Sequence, residues 1–161
     1  GVSAAKGLAW ALDLPCAAVS TLEAMARPLA HARGVLVCAM DARRQQVYNA
    51  LFRADGEKLT RLSEDRALSL EALAAELAGA DEPLTVLGDG ARLCYDHLTA
   101  AGIPCALAPG HLRQQSALGV GFAGEDLVRA GRTVSARDLV PVYLRLSQAE
   151  RERLARGERL S

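Results

Sequence analysis

Apolar positions along the chain change their period at Gly34. Before it they recur at helical spacing, and in "SAAKGLAWAL" (residues 3–12) Ala5, Leu8, Ala9 and Leu12 fall on one stripe. The stripe is built from small residues, which lets another helix approach closely. Pro15 ends this helix, and "CAAVS" then reads as a short buried strand. Ser20 or Thr21 can cap the next helix, "LEAMARPLA", with Glu23 in its first turn where a negative charge favours the helix dipole. Pro28 and Gly34 close that helix.

From Gly34 the pattern is that of strands. "GVLVCAMDA" is a continuous apolar run of strand length, which predicts a strand covered on both faces. "QQVYNALFRADG" predicts a partnered strand ending in an Asp55-Gly56 turn, and "EKLTRLSE" a third, half-exposed strand. Ser69 caps a helix in "LEALAAELAGA" whose apolar stripe is Leu70, Leu73, Ala74 and Leu77. "PLTVLGDG" reads as a strand, "ARLCYDHLTAAG" as a helix stopped by Gly102, "PCALAP" as a strand, and "QQSALGVGFAGEDLVRAG" as a long helix weakened by its glycines. A charged helix closes the chain, with Glu150, Arg151, Glu152, Arg153, Arg156 and Glu158 forming a solvated face of mixed sign.

The resulting order, three strands and then helix, strand, helix, strand, helix, is that of a ribonuclease-H-like lobe. Such a lobe is an α/β mixed sheet flanked by helices. Residues 34–161 form one complete lobe on this template. Residues 1–33, helix-strand-helix, match the tail of a similar first lobe. Two such lobes in tandem make the actin-like ATPase (ASKHA) architecture. The chain begins at Gly1 directly in a helical pattern, which leads to the expectation that most of a first lobe has been cut away.

Composition narrows the function classes. Nineteen basic and nineteen acidic side chains cancel, so no general field draws the chain onto nucleic acid or an anionic membrane. No apolar run reaches the length of a membrane span, and the expected compartment is the cytoplasm. Cys16, Cys38, Cys94 and Cys105 are scattered singly and read as free thiols in a reducing compartment. His31, His97 and His111 lack metal-ligand spacing.

Two stretches carry candidate chemistry. In tandem-lobe ATPases the first hairpin of each lobe wraps a phosphate, and glycine lets backbone N–H groups approach it. The matching turn here, Asp41-Ala42-Arg43-Arg44-Gln45, contains no glycine. It reads as a hairpin ordered by the Asp41 carboxylate, with Arg43 and Arg44 as candidate anion or partner contacts. Gly88-Asp89-Gly90 lies between a strand and a helix, where it can cradle a nucleotide; Asp89 at that position reads as a helix cap. An alternative is a metal-dependent ribonuclease-H-like nuclease with Asp41, Glu71 or Glu76, and Asp89 as ligands.

The strings "AKGLAWALDLPCAAVSTLEAMA" (5–26), "AMDARRQQVYNALF" (39–52), "GDG" (88–90) and "PVYLRLSQAE" (141–150) resemble, in the same order, the TsaB (YeaZ) family. Gln46 departs from the glutamate common there. The resemblance implies a non-catalytic scaffold that supports a TsaD-like paralogue in threonylcarbamoylation of the adenosine beside the tRNA anticodon. It implies a TsaE-like ATPase as third partner, ATP consumed by the complex, no cofactor held by this chain, and tRNA met only through the complex. The metal-binding histidine pair of TsaD-like proteins has no counterpart here, and the older peptidase label of the family finds no nucleophile-base set. The family's first lobe supplies much of the heterodimer surface. The surviving helix then offers Ala5, Leu8, Ala9 and Leu12 either as partner contacts or as packing in the lobe's own core, and the chain by itself is expected to expose apolar surface and either self-associate or bind the TsaD-like partner poorly.

Overall fold

The computed structural model describes residues 1–145 and 156. Strand β1 (Arg33–Asp41) is the centre of the molecule. It pairs antiparallel with β2 (Gln46–Asp55) on one side and parallel with β5 (Leu84–Leu87) on the other. The sheet runs β3-β2-β1-β5-β6, with β3 being Leu59–Arg61 and β6 Ala106–Leu107, while β4 (Arg66–Ser69) pairs with the other end of β2.

Alternate residues of β1 serve opposite layers, as the pleat requires. Val35, Val37 and Ala39 face α3 (Leu70–Leu77) and α4 (Ala91–Ala100), whose Leu70, Leu73, Leu77, Cys94 and Leu98 complete one core. Leu36 and Cys38 face the other core, built with Leu22, Met25 and Ala26 of α2 (Thr21–Ala26) and Leu29 of the short 3-10 helix that follows. The expectation of a strand covered on both faces is met, and the predicted Leu70-Leu73-Ala74-Leu77 stripe is wholly buried. Packing also crosses the boundary between residues 33 and 34, because α2 covers the sheet that begins at Arg33.

Capping follows the sequence closely. Ser20 Oγ accepts from Glu23 N (3.2 Å) and Ser69 Oγ from Ala72 N (3.1 Å). The Asp55 carboxylate accepts from the amides of Glu57 and Lys58 (3.1 and 2.9 Å), bonds that hold it below the usual carboxylate range.

Three expectations need correction. The predicted strand at "CAAVS" is a single antiparallel bridge, Cys16 to Val134, because no neighbouring strand continues the pairing. The predicted third strand is split. Leu51 spends its amide on Ser63 Oγ (2.9 Å) and its carbonyl on the amides of Leu62 and Ser63, so β3 ends and β4 begins anew. The long helix after residue 113 is two, α5 (Gly110–Arg113) and α6 (Ala117–Arg129), with Ser116 Oγ capping the second at Gly119 N (3.2 Å). The helix α1 (Val2–Ala11) forms as predicted, but of its stripe only Ala9 is buried. The charged terminal helix lies outside the described residues, Arg156 excepted.

Glycines in α6 weaken a helix intrinsically, yet one of them is required. A Cβ on Gly119 would run into the Ala24 carbonyl of α2, whereas one on Gly121 would meet open space. Gly119→Ala is therefore expected to lower stability by about 1–3 kcal/mol through overpacking. Gly121→Ala is expected to raise it by about 0.5–1 kcal/mol through helix propensity. Urea unfolding of the two variants checks this, and equal effects would contradict the close α2–α6 approach.

Candidate functional site

The β1–β2 turn folds as a left-handed excursion of ordinary residues. Arg43, Arg44 and Gln45 have φ of 64°, 54° and 57°, a region that costs L-residues about 1–2 kcal/mol each. Local bonds hold it there. Asp41 Oδ1 accepts from Arg43 N (2.7 Å), Ala42 N and Gln46 O close the turn (3.0 Å), and Leu70 N donates to Gln45 O (3.1 Å). Arg145, far along the chain, donates from Nη1 to Ala42 O (2.6 Å). The Asp41 carboxylate orders the turn as expected. Arg43 is 88% exposed, with Asp41 4.0 Å away as its ion-pair partner, and Arg44 is exposed beside it.

Gly88-Asp89-Gly90 packs against the end of β1. A Cβ on Gly88 would collide with the Ala39 carbonyl, and one on Gly90 would sit 2.9 Å from Asp41 N. Both glycine amides are spent internally, Gly88 N on Arg113 O (2.7 Å) and Gly90 N on Ala39 O (3.1 Å). These glycines serve backbone packing, and neither has an N–H left for a phosphate. Asp89 is exposed and does not cap α4, whose N-cap is Gly90 without a side-chain bond, so the cap expectation is corrected.

The nuclease alternative fails on geometry. Among the described residues no group of three or more His, Cys, Asp or Glu side chains converges to hold a metal. Glu76 is bound to Arg66 Nη2 (2.6 Å), and Glu71 lies exposed in the first turn of α3, its own backbone N–H and the Ser69 hydroxyl holding it below the usual range. Asp41 is committed to the Arg43 amide.

Comparison with known proteins supplies what the geometry alone does not. The family model "TsaD: tRNA N6-adenosine threonylcarbamoyltransferase" matches residues 1–152. The chain is 35% identical over 154 residues to the tRNA threonylcarbamoyladenosine biosynthesis protein TsaB of Bacillus subtilis. The chain belongs to this family, on its TsaB/YeaZ side. It covers 64% of the Bacillus protein, which in turn aligns with 93% of the chain. Two solved structures share the fold. YeaZ of Pseudomonas aeruginosa superposes with a TM-score of 0.67 at 21% identity, over 88% of this chain and 66% of that one. A protein described as similar to peptidase YeaZ from the same organism gives a TM-score of 0.71 at 23% identity, over 89% and 65%.

The TsaB/YeaZ member thus carries a mixed sheet of actin-like ATPase type whose glycine turn is filled by protein. Its α1 contact set stands mostly free: Leu8 and Leu12 are 67% and 64% exposed, Ala5 is exposed, and Ala9 is buried.

A polar network that the sequence reading passed over joins α2, α6 and the β3–β4 connection. Ser20 Oγ donates to Asp65 Oδ2 (2.6 Å), and Arg61 bridges Asp65 (2.7 Å) and Glu23 (3.0 Å) with its guanidinium 4.7 Å above the Phe52 ring. Arg27 bridges Glu23 (3.3 Å) and Asp126 of α6 (2.8 Å). The block Ser20 to Glu23 is therefore both a helix cap and an ion-pair hub. Asn49, fully buried in β2, donates to Cys38 O (2.9 Å) and accepts from Arg66 Nε (3.2 Å) and Nη2 (3.1 Å), so its amide is satisfied on both ends. An asparagine inside the apolar run "VYNALF" is the signal that points to it.

The four cysteines are free thiols, as expected. Burial pushes the Cys94 thiol up to about 12 and raises Cys38 further, so both stay protonated and unreactive at ordinary pH. Iodoacetamide at pH 8 is expected to leave Cys38 and Cys94 unmodified in the folded protein and to label them after denaturation, as peptide mass spectrometry would show. The turn gives a second test. Arg44→Gly, which relieves the positive φ, is expected to keep or raise stability by up to about 1 kcal/mol, while Arg44→Val should cost about 1–2 kcal/mol. A valine variant as stable as the glycine variant would contradict the left-handed turn.

Proposed function

We propose that this protein acts in tRNA threonylcarbamoyladenosine biosynthesis as a non-catalytic scaffold for a TsaD-like paralogue. The observation that carries the proposal is the 35% identity to a TsaB. The spent amides of Gly88 and Gly90 and the non-glycine turn support it, since a working phosphate site needs free N–H groups at those places. In this reading a TsaE-like ATPase is the third partner, ATP is consumed by the complex, and tRNA is met only through it. The work is done in the cytoplasm, consistent with the finding that no helix among the described residues is long and apolar enough to cross a membrane.

Partner contact falls to α1, whose Leu8, Leu12 and Ala5 face solvent while Ala9 anchors the helix to the body. The same face accounts for self-association when the chain is alone. Arg43 and Arg44 are the second proposed contact, for an anion or a partner carboxylate.

The test is reconstitution with a TsaD-like protein, a TsaE-like ATPase, ATP and tRNA. Modified adenosine in digested tRNA should appear only when the TsaB-type partner is present, and that partner alone should neither hydrolyse ATP nor modify tRNA. Leu8→Glu combined with Leu12→Glu should weaken capture by the TsaD-like protein at least tenfold. A TsaB-type protein containing this chain that does not bind the TsaD-like protein in a pull-down would overturn the scaffold reading.

A further inference from the structure

After α6 the chain runs as a segment without helix or strand, residues 133–145, which makes one turn at 136–138 and touches three remote parts of the molecule. Val134 exchanges backbone bonds with Cys16, both at 2.8 Å, on the link between α1 and α2. Lys6 of α1 then grips the segment, its Nζ donating to the carbonyls of Arg137 (3.1 Å) and Leu139 (2.8 Å). Arg145 finally reaches the β1–β2 turn and donates to Ala42 O (2.6 Å).

Between the last two anchors the segment buries little. Val140, Val142 and Tyr143 are 62%, 81% and 83% exposed, so apolar burial contributes little to holding residues 140–143 in place. Each ordered residue costs conformational entropy, and here that cost is offset mainly by charge-assisted bonds at the ends. A chain segment pinned at separated points behaves cooperatively. Release at one anchor gives the intervening residues back their freedom and weakens the hold at the next.

We propose that residues 133–145 are a strap that couples α1 to the β1–β2 turn, so that a change at Lys6 is felt at Ala42–Gln46 and a change at Arg145 is felt at α1. The turn is the receptive end, because its three positive-φ residues persist only while the surrounding bonds over-determine them. Coupling of this kind is reciprocal by thermodynamic necessity. At the other end the reporters are the amides of Leu12 and Leu14, which donate to the Leu8 and Ala9 carbonyls and close the end of α1.

Amide hydrogen exchange of Lys6→Met tests the forward direction. The amides of Ala42 and Gln46, which bond within the turn, should exchange about three- to tenfold faster, while those of Val37 and Val86 in the central sheet stay unchanged. Arg145→Ala tests the reverse: the amides of Leu12 and Leu14 should exchange about three- to tenfold faster, and Arg145→Lys should restore much of the original protection. Unchanged turn amides in Lys6→Met would overturn the strap, since the anchors would then act independently. A uniform rise at all amides would overturn it too, because the effect would be global destabilisation.

Discussion

Water is excluded from both faces of β1, and the rest of the structure depends on that. A strand with Val35, Val37 and Ala39 on one side and Leu36 and Cys38 on the other cannot be satisfied by one layer of helices. It requires α3 and α4 on the first face and α2 on the second, with β2 and β5 taking its backbone bonds at each edge. The parallel pairing with β5 follows from the helical crossover that brings the chain back. With β1 fixed, its C-terminal end becomes the place where the turn, the glycine pair and the strap all meet.

At that end the molecule has spent its hydrogen-bonding capacity on itself. In a fold of this type the amides beyond the carboxyl ends of the parallel strands are the natural anion site. Here Gly88 N and Gly90 N close onto Arg113 and Ala39, the turn is bound by Asp41, and Arg145 takes the Ala42 carbonyl. The surface at this end is thus held together by its own bonds. The apolar face of α1 is the opposite case, since Leu8 and Leu12 stand in solvent with nothing of the described chain over them.

Some features were legible residue by residue. The caps at Ser20 and Ser69, the Asp55-Gly56 turn, the α3 stripe and the double burial of β1 all follow from short-range chemistry or period, which a sequence states directly. The strand at Cys16 and the unbroken third strand were not legible, because pairing needs a neighbour that sequence does not place. Gly119 read as a weakness in a helix and proved to be the point where α2 comes closest. Asp89 read as a cap because of its position before a helix, yet the tight Gly88-Asp89-Gly90 turn hands the cap position to Gly90.

The sequence by itself determined the fold class, the family, and which residues must be buried in β1 and α3, because these depend on local period, capping and strings of adjacent residues. Only the tertiary structure decided what the glycines at 88, 90 and 119 are for, where the amides of the turn are spent, and that Lys6, Cys16 and Ala42 are joined by one segment of chain. The reason is physical: close backbone approach and long-range bonds join residues up to more than a hundred positions apart, and no local pattern carries that distance.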